Sequence, residues 1–288
     1  MTAQIHAVVE EVDLCKYPDV QGKASFIEEH VLRIGDVDFY CAAFTPGRLS
    51  DGCLPVLKHP DNVARYVELS LRLQPKIVVE LGIDVGGSTA FLNELYTPDT
   101  LIAVEINTTP APTLTQYVDE HDRGGVVRPH YGVDQSDRST VSRILTEEIG
   151  NRSIDLVIDD ASHQYAETRS SFETLFPRVR SGGLFIIEDW NVDQLMGDAV
   201  EQARHDSSSP LHAAIIAHDA TLDGSEPRVA PLTQLVMELI LVRGSTGDAI
   251  RELTINENWV IVERGDDYLE PLTFRLSDYV HDHHFSLT

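Results

Sequence analysis

Residues 154–190, IDLVIDDASHQYAETRSSFETLFPRVRSGGLFIIEDW, constrain this chain more than any other stretch. Two short apolar runs, Ile154–Ile158 and Leu184–Ile187, each end in adjacent acids, Asp159–Asp160 and Glu188–Asp189. Short β-branched runs bounded by turn signals read as buried strands. Between them Tyr165–Val179 reads as a helix closed off by Ser181-Gly182-Gly183. Strand, helix, strand is a right-handed crossover, so the two strands should lie parallel in one sheet. Both acidic pairs then sit at carboxyl ends of strands, the edge where open α/β sheets bind ligands. Four carboxylates there repel one another unless a cation or ligand compensates them. Oxygen ligands suit Mg²⁺, Ca²⁺ or Mn²⁺. His163 stands three residues past Asp160, beside whatever that cation holds. The plainer alternative is that Asp159, Asp160 or Ser162 caps the helix that follows.

A second feature lies upstream. KIVVELG reads as a buried strand ending in Glu80, and GIDVGGSTAFLNELY as a glycine-rich turn entering a helix near Ser88. A helix start with free N–H groups, approached closely at glycine, suits a ligand's backbone or carboxylate. The next strand, Leu101–Val104, ends in Glu105, placed to bind the two hydroxyls of a ribose. A nicotinamide fingerprint would read G-x-G-x-x-G. Here Ile83 and Asp84 follow Gly82, so the second glycine is absent. Glu80 with Gly82 instead suits S-adenosylmethionine, a cation without a pyrophosphate, which a carboxylate-rich pocket attracts. Val126–His130 reads as a third strand, with Asp134 and Gln135 past its end, either on adenosine or capping the helix Ser139–Ile149.

The remaining segments frame this core. Val31–Phe44 reads as a hairpin turning at Gly35-Asp36, GRLSDG as a loop, and Asn62–Leu73 as a helix stopped by Pro75. Residues 1–60 form an N-terminal extension, a lid or an oligomer contact, and residues 61–288 the catalytic domain. After Trp190 the chain is helical in places, interrupted at Ser207–Pro210. Pro231–Val242 reads as helix or strand. Thr254–Glu263 reads as a final strand, added antiparallel at one edge to complete a seven-stranded sheet. The expected class is α/β, a doubly wound Rossmann-like sheet. His30, His59, His205, His212 and His218 read as loop or solvated residues, and HDHHF near the end as a disordered tail.

A formal charge of −25 argues against nucleic acid and anionic membrane surfaces as partners. Cys15, Cys41 and Cys53 are too few for a disulfide framework. Without a signal peptide or an apolar run of spanning length, the expected location is cytoplasmic.

Taken together, IVVELGIDVGGST, VEI, GVDQSD and the 154–190 stretch resemble metal-dependent class I O-methyltransferases of the macrocin and mycinamicin type. They are also similar to the rhamnosyl O-methyltransferase and cephalosporin hydroxylase-like group. The resemblance covers roughly residues 75–190, and D-D-x-S-H followed by E-D is its most specific part. It implies Asp160, Glu188 and Asp189 as Mg²⁺ ligands and His163 as general base. It implies Glu80, Gly82 and Ser88 along the methionine part of the cofactor, and Glu105 on its ribose. Asp134 and Gln135 would lie near the adenosine and Asp159 beside the amino group. The implied acceptor is a hydroxyl of a sugar or sugar-bearing small molecule, and relatives are often homo-oligomers. A hydroxylase or oxidoreductase on the same fold, a catechol-type O-methyltransferase and a non-catalytic binding protein are the rival readings.

Overall fold

The computed structural model describes residues 24–28, 30–42, 52–219, 229–245 and 247–279. Cys15, residues 43–44 of the expected hairpin, most of the GRLSDG loop and the histidine tail lie outside the described residues.

The chain first builds a small sheet from β1 (Ala24–Glu28), β2 (Val31–Ile34), β3 (Val37–Cys41) and β4 (Leu54–Val56), in that order. β2 and β3 are the expected antiparallel hairpin, with Gly35 at φ +60 in its turn. The helix α1 (Pro60–Ser70) follows and buries Val63, Tyr66 and Val67. It stops short of Pro75 because its last turn tightens. The Leu71 and Arg72 N–H groups bond back three residues, to Glu68 and Leu69.

The main sheet has seven strands: β5 (Ile77–Leu81), β6 (Thr100–Glu105), β7 (Val127–Tyr131), β8 (Ile154–Asp159), β9 (Val179–Glu188), β10 (Ile250–Ile255) and β11 (Trp259–Arg264). Their order is β10-β11-β9-β8-β5-β6-β7. β5 to β9 run parallel, as expected. The crossovers use α2 (Gly87–Tyr96), α3 (Pro112–Glu120), α4 (Arg138–Ile149) and α5 (Tyr165–Leu175). The chain steps outward from β5 to β7 and then returns to β8 on the other side of β5. That reversal is the topological switch point, where ligands bind beyond the strand ends.

Three boundaries differ from expectation. α5 ends at Leu175, and Phe176–Arg178 is a single 3₁₀ turn around Pro177. Ser181-Gly182-Gly183 lies inside β9, where the register slips between Ile154 and Leu156 and Gly182 takes φ +71. The stretch read as one final strand is a hairpin. Asn256 Oδ1 accepts from the N–H groups of Asn258 and Trp259 and turns β10 into β11. The antiparallel partner of β9 is therefore internal, and β10 forms the edge.

Pro231–Val242 resolves as helix, α8 (Leu232–Arg243). Before it come α6 (Val192–His205) and α7 (His212–Asp219), separated as the Ser207–Pro210 break suggests. The pleat divides the core in two. Ile77, Val79, Leu81, Val157, Phe185 and Ile187 face one layer with α4, α5 and α8. Val78, Leu156, Ile158 and Ile186 face the other, with α1 and α2. This alternation decides where each acid at a strand end points.

Candidate active site at the switch point

The glycine turn after β5 is pressed against the end of β8. Leu81 O accepts from Asp160 N at 3.0 Å, and Gly82 N donates to Val104 O at 2.9 Å. Gly82 has φ +95, and a Cβ there would lie 2.3 Å from the carbonyl oxygen of Asp160. Asp84 (φ 46), His163 (φ 52) and Asp189 (φ 50) all take left-handed backbone at this edge. Such strain in non-glycine residues tends to gather at functional sites.

Two clefts open here. The first, of about 400 Å³, is lined by Gly82, Asp84, Glu105, Asp134, Gln135 and Asp160, among others. The second, of about 260 Å³, is lined by Lys58, Gly82, Ser88, Asp160, His163 and Asp189, among others. Gly82, Asp84, Asp160 and Ala161 belong to both, so the clefts adjoin. The first lies within the size range of small-molecule sites.

Glu105 closes the first cleft. Its carboxylate accepts from the N–H groups of Ile83 and Asp84 at 3.0 Å each and of Asn107 at 2.8 Å. Burial pushes its pKa up, but the three backbone donors outweigh that and hold it below the usual carboxylate value. Gln135 is fixed from both ends. Its amide nitrogen donates to Asp159 at 3.0 and 3.1 Å, and its oxygen accepts from Ser162 N at 3.0 Å. Asp134 accepts from Ser136 N. The cap of α4 is Asp137, which takes the N–H groups of Ser139 and Thr140.

Two of the expected cofactor residues line neither cleft. Asp159 is 2% exposed and points into the α5 layer, where Ser171 also donates to it. Its burial raises the carboxyl to about 6. It positions Gln135 rather than facing a ligand. Glu80 is fully buried on the opposite face of the sheet. Thr89 donates to its Oε2 at 2.6 Å, and burial, opposed by the Thr89 and Ser88 hydroxyls, pushes it up to about 7. An acid whose folded pKa lies above its unfolded value holds more protons in the folded state between the two. Its contribution therefore falls as pH rises from about 4.5 to about 7. Glu80→Gln should be more stable than the unaltered chain by roughly 2–3 kcal/mol at pH 8, and by about half that at pH 5.5. Urea unfolding at both pH values checks this, and a gain equal at both would show that ionisation is not its cause.

The acids expected to hold a metal do not all gather in one cluster. Asp160, His163 and Asp189 each offer a ligand atom within 4.8 Å of the others. His163 Nε2 is 3.7 Å from Asp160 Oδ1. Glu188, expected beside them, lies on the layer of Ile186 and is 2% exposed. Its Oε1 accepts from Lys58 Nζ at 2.7 Å and from the Tyr66 hydroxyl. Lys58 Nζ also donates to Asp160 Oδ2. Burial disfavours the Lys58 charge, but Asp160 and Glu188 overcome it and hold the ammonium protonated. Burial and Asp160 push the Glu188 carboxyl up, while Lys58 and Tyr66 oppose that. With a cation at hydrogen-bond distance, an ionised Glu188 is the better description. Two carboxylates and an imidazole opening on a cleft are a donor set that fits a divalent cation. Glu188 lies outside that cluster, held by Lys58 and Tyr66.

Lys58 and Tyr66 are the site residues that the sequence reading missed. Lys58 comes from the link between β4 and α1, far from the motif in sequence. One signal was available, since Lys16, Lys23, Lys58 and Lys76 are the chain's lysines, and one directly precedes a His-Pro helix start.

Residues 79–190 match the family model described as a methyltransferase domain. Among curated proteins, the chain is 36% identical over 127 residues to the 8-demethyl-8-(2-methoxy-alpha-L-rhamnosyl)-tetracenomycin-C 3'-O-methyltransferase of Streptomyces olivaceus. That alignment covers 41% of this chain and 29% of the relative. It is 40% identical over 74 residues to the mycinamicin VI 2''-O-methyltransferase of Micromonospora griseorubida, covering 20% and 18%. The chain thus matches under a third of the length of either relative. A solved structure, the MycE methyltransferase from the mycinamycin biosynthetic pathway in complex with Mg and SAH, is similar at 24% identity and a TM-score of 0.47. That superposition covers 71% of this chain and 49% of the other.

Proposed function

We propose, for a chain whose residues 79–190 match the methyltransferase-domain family, that it is an S-adenosylmethionine-dependent O-methyltransferase. Its acceptor is a hydroxyl of a sugar-bearing small molecule, and it works with a divalent cation, Mg²⁺ in the first instance. One observation carries the reading. A cleft with an ionised Glu105 on its wall adjoins a cleft holding Asp160, His163 and Asp189, and the two share Gly82 and Asp160. One pocket suits a nucleoside and the other the activation of a hydroxyl, with only a glycine turn between them. The name of one relative, the 3'-O-methyltransferase of a rhamnosyl tetracenomycin, supports the acceptor class.

The chemistry asks three things of these residues. Glu105 presents a carboxylate to the paired hydroxyls of a ribose, and Asp134 and Gln135 line the same cleft towards the base. The cofactor supplies a methyl carbon made electrophilic by its sulfonium. A cation held by Asp160 and Asp189 would lower the pKa of an acceptor hydroxyl. The imidazole of His163, 3.7 Å from Asp160, would then accept the hydroxyl proton. Holding acceptor and methyl donor in line is the largest contribution such a rigid edge can make. Leu57 and Lys58 wall the second cleft, which supports the reading of the N-terminal extension as part of a lid.

Calorimetric titration of S-adenosylhomocysteine, with Mg²⁺ and again with EDTA, tests the cofactor assignment. Micromolar binding is expected. Glu105→Ala should weaken it by at least about tenfold, since charge-assisted bonds to the two ribose hydroxyls are lost. No binding to the unaltered protein under either condition would refute the assignment.

A further inference from the structure

We infer that Lys58 is a displaceable internal counter-ion of the carboxylate site, competing with the divalent cation for Asp160 and Glu188. This rests on the cation-dependent reading of the same site. The Lys58 ammonium bonds Glu188 Oε1 at 2.7 Å and Asp160 Oδ2, with only 3% of its side chain exposed. The other oxygen of Asp160, Oδ1, faces His163. Asp160 is therefore shared, one oxygen on the ammonium and one on the cluster that fits a metal. A dication on that cluster would stand a few ångströms from a fixed positive charge, and like charges at that range in a half-buried site repel strongly. The conflict resolves if the ammonium leaves, which also frees Glu188 to face the cation.

The chain is built to let it leave. Lys58 lies on the short link Leu57–His59 between β4 and α1, outside either element, and its four-carbon stem has several rotatable bonds. Leu57 and Lys58 both face the second cleft, which offers the ammonium a solvated exit. Tyr66 stays behind on Glu188 from the first turns of α1, so the acid is not stranded. Metal entry thereby acts on the link that joins the N-terminal sheet to the site.

Two measurements on the full chain test this. Calorimetric titration of Mn²⁺ should show Lys58→Met binding about tenfold more tightly or better, because a like charge is gone from the site. Equal or weaker affinity in the variant overturns the role of Lys58 and leaves the cation site standing. No Mn²⁺ binding to either protein overturns both. Because Lys58→Met leaves Glu188 buried without its cation and could impair folding, the unaltered protein supplies the second measurement. An amine-acylating reagent with peptide mass mapping should find Lys58 protected in EDTA and modified at saturating Mn²⁺. Lys76, whose side chain is 66% exposed, is the internal reference. Continued protection of Lys58 in Mn²⁺ overturns the displacement.

Discussion

Asp160→Ala is expected to lower turnover by roughly 10³-fold or more, the combined scale of losing hydroxyl activation and the placement of its base. Among the described residues, this side chain takes part in most of the site's contacts. It lines both clefts, pairs with Lys58 and stands beside His163. Without it the cluster keeps a single carboxylate, and the Lys58 ammonium remains on Glu188 as the nearest positive charge. The residual rate should no longer respond to Mg²⁺. Binding of S-adenosylhomocysteine should change only a few-fold, because Glu105 is held by Ile83, Asp84 and Asn107 and not by Asp160. The companion variant His163→Ala separates two roles that the geometry places side by side. As a base, its loss should cut turnover by roughly 10²–10⁴-fold with metal affinity nearly intact. As a ligand, its loss should weaken metal binding first. Steady-state rates across a Mg²⁺ series, with Mn²⁺ calorimetry on each variant, decide the matter. An Asp160→Ala protein still stimulated by Mg²⁺ would refute the assignment of Asp160.

Most of the frame of this site could be read from the chain because it is local. The glycine turn, the acids closing β6, β8 and β9, and the crossover between them are each written in fewer than forty consecutive residues. Which way each acid points was not legible. Strand ends buried on both faces, such as LVID in β8 and FIIE in β9, carry successive apolar residues up to the acid, so no alternation marks which face meets which layer. Asp159 shares a face with Val157 and turns to Ser171, while Glu188 shares one with Ile186 and turns to Tyr66. Once the layers are known, the period of two separates these acids at once. Lys58 was out of reach for another reason. Its partners lie 102 and 130 residues further along, and nothing in LKHP shows that β4 packs on the start of α2. That packing leaves no room for a side chain at Gly87, where a Cβ would lie 1.7 Å from Pro55 O. The hairpin at the far edge was different. Its turn residues, Asn256-Glu257-Asn258, stand inside the stretch Thr254–Glu263 and mark a break that a single strand does not allow.

Gly82→Ala is expected to damage the fold and the site together. At φ +95 an L residue is strained, and its new carbon would lie 2.3 Å from the Asp160 carbonyl oxygen and 2.9 Å from the carbonyl carbon. Both are backbone atoms at the end of β8, so no rotamer change relieves the clash. Either the turn lifts off β8, breaking the bond from Asp160 N to Leu81 O, or Asp160 moves with the strand end. Backbone strain and overpacking together should cost roughly 2–5 kcal/mol. Because Gly82 lines both clefts, either movement also spoils S-adenosylhomocysteine binding and shifts Asp160 away from His163. Gly125→Ala is the control, since a Cβ there meets nothing within 4 Å. It should unfold at the same urea concentration as the unaltered chain and bind as tightly. If Gly82→Ala did the same, the glycine turn would not be what brings the nucleoside cleft and the acidic cluster together. The case for methyl transfer between adjoining clefts would then lose its structural basis.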